Sequence, residues 1–354
     1  MIFKLLKHSK DTTMTQAVPL PPNIEHDVFE KILDQASKYI LGKRPQLQLA
    51  LCCILAEGHL LIEDIHGIGK TTLEKMLAHL LGLDFQRVQC TSDMLPGDIL
   101  GFSVVNQDSG TFSFHPGPIF TQVLLTDEIN RTPPKTQSAL LEAMEEKQVS
   151  FEGKTRDLPS PFFVIATQNP LEQSGTYPLP ESQLDRFLFR LEIGYPDREA
   201  EHQLLAGGGV DSPSASIAPF LSADKVLSLQ QLTTSIQVAD SLIKYIQDII
   251  DFTRHSGTFT LGLSPRAGLL LLRSAKAWAL LNSRDFVLPE DVQMVLPYIA
   301  RHRLRKADTH EEVSTSELAE IFQSLAVPIK ACSFLIHLSS HPSNETHIAC
   351  DSHF

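Results

Sequence analysis

Apolar residues recur with helical spacing in the first part of the chain and form short continuous runs further on. From Ile24 to Ala56 they return every three or four positions, as on one face of a helix. Four runs of strand length follow, which are HLLI (59–62), FQRVQC (85–90), VLLT (123–126) and FFVIAT (162–167). Runs that polar residues hardly interrupt are typical of strands buried on both faces of a parallel sheet.

Helical patterns lie between these runs. The clearest is PPKTQSALLEAMEEKQV, where Leu140 and Leu141 belong to a cluster of apolar residues towards one face. Pro133 and Pro134 suit the first turn of this helix. Proline has no backbone N–H, and the N–H groups of the first turn have no acceptor within the helix. Strands that alternate with helices predict an α/β doubly wound fold.

Composition divides the chain further. Residues 1–22 are polar and contain prolines, which predicts a flexible N-terminal arm before an α/β domain at 23–204. The stretch LAGGGVDSPSASIAP predicts a linker at 205–224. Helical spacing without convincing strands then predicts a smaller all-helical domain at 225–330, and the polar tail at 331–354 is expected to be disordered.

The overall composition is that of a soluble globular protein, with 42% hydrophobic and 20% charged residues among 354. A net charge of −12 argues against non-specific nucleic-acid binding as the main function. Five cysteines, including the adjacent Cys52 and Cys53, show no zinc-binding spacing. No apolar run approaches the roughly 20 residues that span a bilayer, and MIFKLLKHSK lacks a signal-peptide core. We therefore expect a cytoplasmic protein without direct membrane contact.

The segment EDIHGIGKTTLEK (63–75) is close to a phosphate-binding loop of the pattern G-x-x-x-x-G-K-[ST], with Asp64 in place of the first glycine. Gly67 and Gly69 would let the main chain wrap closely around phosphates at a helix N-terminus. Lys70 would reach the β and γ phosphates, and the Thr71 hydroxyl would bind Mg²⁺. A helix N-terminus with a surface lysine is the alternative interpretation.

Polar residues also follow two other buried runs. VLLTDEINR ends in Asp127 and Glu128, which suit a magnesium ion and a base that orients the attacking water. FFVIATQNP places Asn169 where it could contact the γ-phosphate or water. A capped strand end and a plain Asn-Pro turn are the alternatives. Three suitable strand ends together favour a ligand site at the carboxyl edge of the sheet.

At this point the sequence resembles the MoxR family of AAA+ ATPases, over about residues 24–330. The resemblance rests on GHLLIEDIHGIGKTTL, MLPGDILG, FHPGPIF, LLTDEINRTPPKTQSALLEAMEEKQVSFEG, VIATQNPLEQSGTYPLPESQLDRF and LSPRA. Members of the family often carry Glu-Asp where the general loop has its first glycine, whereas His66 stands where they tend to have proline. The family implies a P-loop AAA+ parallel-sheet core with a smaller all-helical lid domain.

The resemblance assigns roles in nucleotide binding to individual residues. The nucleotide would be surrounded by Leu41, Gly42, Ile65, His66, Gly67, Ile68, Gly69, Lys70, Thr71 and Thr72, the first two near the adenine. Thr71 and Asp127 would hold Mg²⁺, Glu128 would complete Walker B, and Asn169 would be sensor 1.

The resemblance also assigns two arginines and two insertions. Arg186 in QLDRF matches the arginine finger that reaches the ATP of a neighbouring subunit, and Arg266 in LSPRA matches sensor 2, which projects from the lid onto the γ-phosphate. Without the family, Arg186 would be interpreted as a surface residue paired with Asp185 or Glu181. Residues 101–117 look like the helix-2 insert and 147–159 like the pre-sensor hairpin, both facing a central pore or a client.

The family therefore implies ATP hydrolysis with Mg²⁺ in a homo-oligomeric ring, expected to be a hexamer. The ring would remodel or activate client proteins in a chaperone-like way, including clients with von Willebrand factor A domains. Two alternatives remain open at this stage, a nucleotide-gated scaffold with little turnover and a DNA-dependent AAA+ motor. The net negative charge counts against the motor, and the lack of an N-K-x-D segment counts against a GTPase.

Overall fold

The computed structural model describes residues 24–64, 70–105, 112–151, 153–170, 175–206 and 217–325. The predicted arm at 1–22 and tail at 331–354 lie outside these residues, as does much of the predicted linker. In the described part, none of the helices combines the length and the apolar character needed to cross a membrane.

Among the described residues, helices and strands are interspersed up to residue 206, and the elements from residue 217 to 325 are helices. The strands are β1 (Leu60–Glu63), β2 (Phe85–Gln89), β3 (Gly101–Val105), β4 (Phe112–Pro116), β5 (Val123–Asp127), β6 (Gln148–Phe151), β7 (Lys154–Asp157), β8 (Phe163–Gln168) and β9 (Phe189–Leu191). The first helices are α1 (Ile24–Ser37), α2 (Arg44–Leu55), α3 (Lys70–Leu80), α4 (Pro96–Leu100), α5 (Pro134–Glu146), α6 (Glu181–Leu184) and α7 (Arg198–Ala206). The later helices are α8 (Ala223–Ser235), α9 (Asp240–His255), α10 (Pro265–Leu281), α11 (Pro289–Ala300) and α12 (Thr315–Gln323).

Five parallel strands form the central sheet, in the order β2-β5-β8-β1-β9. The α/β fold with a parallel sheet and a helical C-terminal lid is thereby confirmed, and the four predicted strands coincide with β1, β2, β5 and β8 to within about a residue. Strand β9 was not predicted, because it has three residues and the charged Arg190 stands in its middle.

Alternate residues of the inner strands point into two separate apolar clusters. Leu60 and Ile62 face a cluster built with α1, α2, α3 and the lid helices, while Leu61 faces a cluster built with α5. Burial on both faces, predicted from the continuous runs, holds for β1, β5 and nearly all of β8. For β2 it was wrong, since this strand lies at the sheet edge and exposes Gln86, Arg87 and Gln89.

The predicted helical stretch from Ile24 to Ala56 consists of two helices. Gly42, between α1 and α2, has φ of +72°, a conformation that glycine adopts without steric cost. The lid packs directly on α2, where Gln230 Nε2 donates to Ile54 O at 2.8 Å and Cys52 Sγ lies 3.4 Å from Ser274 O. The lid and the sheet domain therefore share one continuous core.

Candidate functional site

The carboxyl ends of the parallel strands meet at one edge of the sheet. In register, Glu63 at the end of β1 is paired with Gln168 at the end of β8, and Gln89 at the end of β2 with Asp127 at the end of β5. Helix α3 begins at Lys70, six residues after Asp64, which follows β1. The three segments that the sequence singled out thus converge on the same edge.

The predicted phosphate loop is described at its two ends. Outside the described residues lie Ile65, His66, Gly67, Ile68, Gly69 and the side chain of Thr71. Lys70 Nζ donates to Asp64 O at 2.6 Å, so the base of the loop is closed, while Thr72 is half-buried in the first turn of α3. The N–H of Asp64 donates to Gln168 O at 3.1 Å, which joins the loop to β8.

The structure also explains Asp64, the departure from the general pattern. Its carboxylate accepts a hydrogen bond from the backbone N–H of Gly194, just beyond β9. A glycine at position 64 could not make this bond. The aspartate therefore ties the start of the loop to the segment that follows β9.

The same segment contacts the turn that was predicted to lie near an adenine. A Cβ on Gly42 would lie 3.2 Å from Ala200 Cβ and 3.4 Å from Asp197 Oδ2, so the backbone there packs closely on the start of α7. The neighbouring Lys43 is buried and donates to Tyr195 O at 2.7 Å. Leu41 is half-buried beside them. The Leu41–Gly42 turn thus lies against residues 195–200, close in sequence to Gly194.

Asp127 ends β5 with a nearly buried carboxylate that has partners on both neighbouring strands. On the β2 side, Arg87 holds Oδ2 through Nη2 at 2.5 Å and Nε at 2.7 Å. On the β8 side, Thr167 Oγ1 lies 3.4 Å from Oδ1, at the long end for a hydroxyl donor. Oδ1 therefore faces the strands next to the phosphate loop.

Glu128, the next residue, is held in an unusual conformation. Its φ of 59° is in the left-handed region, which a non-glycine residue occupies at some cost. Its N–H donates to Thr167 Oγ1 at 3.0 Å, while Oε2 contacts Gln89 Nε2 at 3.2 Å and Arg131 Nε at 3.0 Å. These contacts hold the Glu128 carboxylate in a fixed orientation at the carboxyl-end edge of the sheet. Asn169 lies half-buried at the same edge, one residue after β8.

A largely buried ion group lies at the carboxyl end of β1. The guanidinium of Arg190 contacts the carboxylate of Glu63 and, at 2.6 Å, that of Glu312 in the lid. Gln168 also donates to Glu63. Burial raises the pKa of Glu63 against the opposing charge of Arg190. Burial of Glu312 acts to raise its pKa, but the hydrogen bond and charge of Arg190, together with the charges of Arg305 and Arg301, outweigh burial, so the pKa of Glu312 is lowered.

The two predicted arginines, Arg186 and Arg266, lie together near the amino ends of the strands, opposite the carboxyl-end edge that holds the acidic residues. Arg186 Nη2 is 3.2 Å and Arg266 Nη1 is 2.8 Å from the carboxylate of Glu145, near the end of α5. Met144, next to Glu145, accepts a hydrogen bond from His59, which comes just before β1. Strand β1 thus separates Glu145 from Asp64 and Lys70. Among the described residues, Arg266 contacts Glu145 and not these two ends of the predicted loop. The surface pairing considered for Arg186 is not found either, because its partner is Glu145 rather than Asp185 or Glu181.

Comparison with known proteins agrees with this arrangement. Residues 59–189 match the profile of the ATPase family associated with various cellular activities (AAA), and residues 251–321 match the AAA lid domain. The chain is 39% identical over 289 residues to Chaperone MoxR1 of Mycobacterium tuberculosis, covering 79% of this chain and 76% of that protein. It is 42% identical over 308 residues to the uncharacterized protein YeaC of Bacillus subtilis, covering 86% and 96% of the two chains.

The chain belongs to the MoxR family of AAA ATPases. A crystal structure from Cytophaga hutchinsonii superposes with a TM-score of 0.77 at 35% identity, covering 86% of this chain and 96% of that one. Membership of the AAA ATPases implies that the chain binds ATP.

Two β-hairpins of this MoxR-family chain contact each other beside the sheet. The Phe114 ring in β4 lies 6.1 Å from that of Phe151 in β6, and the Arg156 guanidinium in β7 stacks 3.8 Å from the centre of the Phe114 ring. The hairpin of β3 and β4 exposes Phe102 and Phe112 among other apolar residues. These hairpins are the described parts of the two segments that resemble the family's insertions.

Sequence reasoning missed Arg87, Gln89 and Thr167, which hold the two acidic residues. Arg87 and Gln89 alternate along β2 with the buried Val88, so they share one face of the strand. Two polar residues spaced two positions apart in a predicted strand indicate that both lie on the same face, and this signal could have singled them out. It could not reveal which carboxylate either side chain meets.

Proposed function

We propose that this chain hydrolyses ATP in an oligomeric ring, which we expect to be a hexamer, and uses the cycle to remodel client proteins. One observation carries the proposal. Asp127 and Glu128 lie at the same edge of the sheet as Asp64 and Lys70, the two ends of the predicted loop. Such edges are where ligands bind in parallel α/β sheets.

The acidic residues fit a magnesium-dependent reaction. Asp127 presents the carboxylate oxygen Oδ1 towards β8, and together with the Thr71 hydroxyl it would hold the ion. When bound, Mg²⁺ neutralises charge on the β and γ phosphates. Glu128, aimed by Gln89, Arg131 and Thr167, is proposed to orient the water for in-line attack.

The remaining residues bind or stabilise the substrate. Lys70 is proposed to contact the β and γ phosphates and Asn169 the γ-phosphate or the water. The backbone of residues 65–69, with Thr72, is proposed to surround the phosphates, and the Leu41–Gly42 turn is proposed to lie next to the adenine. This last assignment is supported by the tie between Asp64 and Gly194, which brings the turn's neighbouring segment to the loop.

Arg186 and Arg266 are proposed to act on the ATP of a neighbouring subunit. Both lie at the edge opposite the loop, and both contact Glu145. In a closed ring, one surface of each subunit meets a different surface of the next. An arginine supplied in this way can raise turnover by several orders of magnitude.

The proposal of client remodelling is supported by a relative and by a surface. The relative MoxR1 of Mycobacterium tuberculosis is named a chaperone. The hairpin of β3 and β4 exposes Phe102, Val104, Val105 and Phe112, an apolar surface suited to a protein partner. Clients with von Willebrand factor A domains are proposed from the family resemblance.

Glu128→Gln tests the proposal directly. This variant should bind ATP with unchanged affinity but turn it over at least 100-fold more slowly, and in its ATP-bound form it should retain client proteins from an extract. Glu142→Gln, an exposed change on α5, is the matched control and should behave as the unaltered protein. Unchanged turnover in Glu128→Gln would remove Glu128 from its role, and negligible turnover in the unaltered protein would favour a nucleotide-gated scaffold.

A further inference from the structure

Arg87 has no role in the sequence-based assignment, yet it is the residue that holds Asp127. It extends from β2, the edge strand, where its side chain is 42% exposed, while that of Asp127 is 9% exposed. Two nitrogen atoms of one guanidinium, Nη2 and Nε, both contact the same oxygen, Oδ2. Two donors from one rigid group restrain the position of this oxygen more firmly than a single donor could.

The sheet order determines where the other oxygen points. Strand β5 lies between β2 and β8, and β1 lies beyond β8. With Oδ2 held on the β2 side, Oδ1 lies on the β8 side, where Thr167 Oγ1 is 3.4 Å away. Strand β1 leads directly into the phosphate loop. The oxygen that Arg87 does not use is therefore the one turned towards the loop.

We infer that Arg87 is a positioning residue that orients Asp127 so that Oδ1 is presented to Mg²⁺ or to a water molecule bound to it. This inference rests on the proposed function, since it concerns the same magnesium site. Partners that orient a metal ligand commonly change metal affinity by about 10–100-fold when they are removed. Arg87 touches neither substrate nor metal in this account, and it acts through Asp127.

The alternative is that Arg87 only fastens the edge strand. Strands β2 and β5 already pair along their whole length, from Phe85 with Val123 to Gln89 with Asp127. A fastening role would change thermal stability but not the effect of magnesium on nucleotide binding. The two roles therefore differ in a measurable quantity, which is the ratio of nucleotide affinity with Mg²⁺ to nucleotide affinity in EDTA.

Isothermal titration of the full chain with a non-hydrolysable ATP analogue, in Mg²⁺ and in EDTA, measures this ratio. Arg87→Gln should lower the ratio about tenfold or more while affinity in EDTA changes less than about twofold. Arg87→Lys, which keeps the charge but not the two-point contact, should also lower it. Arg284→Gln is the matched control, because Arg284 makes a similar two-point contact with the buried Asp291 of the lid, and it should leave the ratio unchanged.

A double-variant cycle separates positioning from unfolding. Asp127→Asn should itself lower the ratio, and adding Arg87→Gln to it should lower the ratio no further. An unchanged or increased ratio in a folded Arg87→Gln protein would overturn the inference and leave the proposed function intact. If Mg²⁺ does not strengthen binding in the unaltered protein, the proposed magnesium site itself fails.

Discussion

Arg186 and Arg266 contact opposite oxygens of one carboxylate, that of Glu145, although the first precedes β9 and the second lies in the lid. Arg186 Nη2 is 3.2 Å from Oε2, and Arg266 Nη1 is 2.8 Å from Oε1. The side chains are 27% and 49% exposed, so both remain accessible to a neighbouring molecule. The lid thus presents its arginine on the same surface as the sheet domain does.

The first prediction concerns these two arginines separately. Arg186→Ala should leave the affinity for ATP within about twofold and lower turnover roughly 1,000-fold or more, the effect expected on removal of an arginine finger. Arg266→Ala should lower turnover about 100-fold, as expected on loss of one charge-stabilising donor. Binding of a non-hydrolysable analogue and ATPase activity over a range of protein concentrations would measure both effects.

Lys31→Ala, which breaks an exposed pair with Asp27, is the control and should change neither quantity. Loss of nucleotide binding in Arg266→Ala would place this arginine at the nucleotide of its own chain. That result would contradict the shared surface.

A second prediction concerns Asp64. Asp64→Gly restores the general loop pattern but removes the acceptor for the Gly194 N–H, so it should weaken ATP binding about fivefold to tenfold. Asp64→Asn keeps an acceptor oxygen and should lose less. Titration with the non-hydrolysable analogue distinguishes the three chains, and tighter binding by the glycine variant would show that the aspartate is a defect of the loop.

The sequence could predict the positions of these strand ends but not all their contacts. Asp127 and Glu128 were predicted because acidic residues directly follow a continuous apolar run, and in a parallel sheet such ends share one edge. Arg87 and Gln89 were missed because their partners lie about 40 residues away, across a strand pairing that local sequence does not specify. The exposure of β2 was missed for a related reason, since an edge position depends on the order of strands.

The sequence could predict that Arg266 lies at the start of a helix, but not where in the molecule that start lies. Ser264 and Pro265 signal a helix start, and Ser264 does cap α10 by accepting from the Ala267 N–H at 3.1 Å. The direction in which that start points depends on how the lid packs on α2. That packing is built from contacts such as the one between Gln230 and Ile54, which join distant parts of the chain.

A third prediction follows from the buried His59. Its Nε2 donates to Met144 O at 3.2 Å and its Nδ1 accepts from the Val164 N–H at 3.1 Å, so the neutral ring satisfies both. Burial lowers the pKa of His59 to about 4. A histidine with a lowered folded-state pKa stabilises the fold fully above its ordinary pKa of about 6.5, and this stabilisation is lost as the pH falls towards 4.

The loss for His59 should reach about 3 kcal/mol near pH 4. Denaturant unfolding between pH 7 and pH 4 should show a shallower decline in His59→Gln than in the unaltered protein. His255→Gln, at an exposed site, should follow the unaltered protein. Parallel curves for His59→Gln and the unaltered chain would contradict this assignment.

A fourth prediction concerns the ion group of Glu63, Arg190 and Glu312. Arg190→Met leaves Glu63 buried without its charged partner, which should lower the free energy of unfolding by about 3–5 kcal/mol. Glu312→Gln removes the more exposed member, with a side chain that is 44% exposed, and should cost much less. Equal losses for the two variants in chemical denaturation would contradict the larger cost predicted for leaving the buried Glu63 without its charged partner.

We propose that each ATP is hydrolysed between two subunits, with the loop and acidic residues of one and the arginines of the next. Mixing two inactive variants tests it most directly. Lys70→Ala should not bind ATP, and Arg186→Ala or Arg266→Ala should bind it without efficient turnover, but mixed rings contain junctions where an intact loop meets intact arginines. We predict that ATPase activity reappears when Lys70→Ala is mixed with either arginine variant. Mixtures as inactive as their components, under conditions where the chains assemble together, would contradict the account.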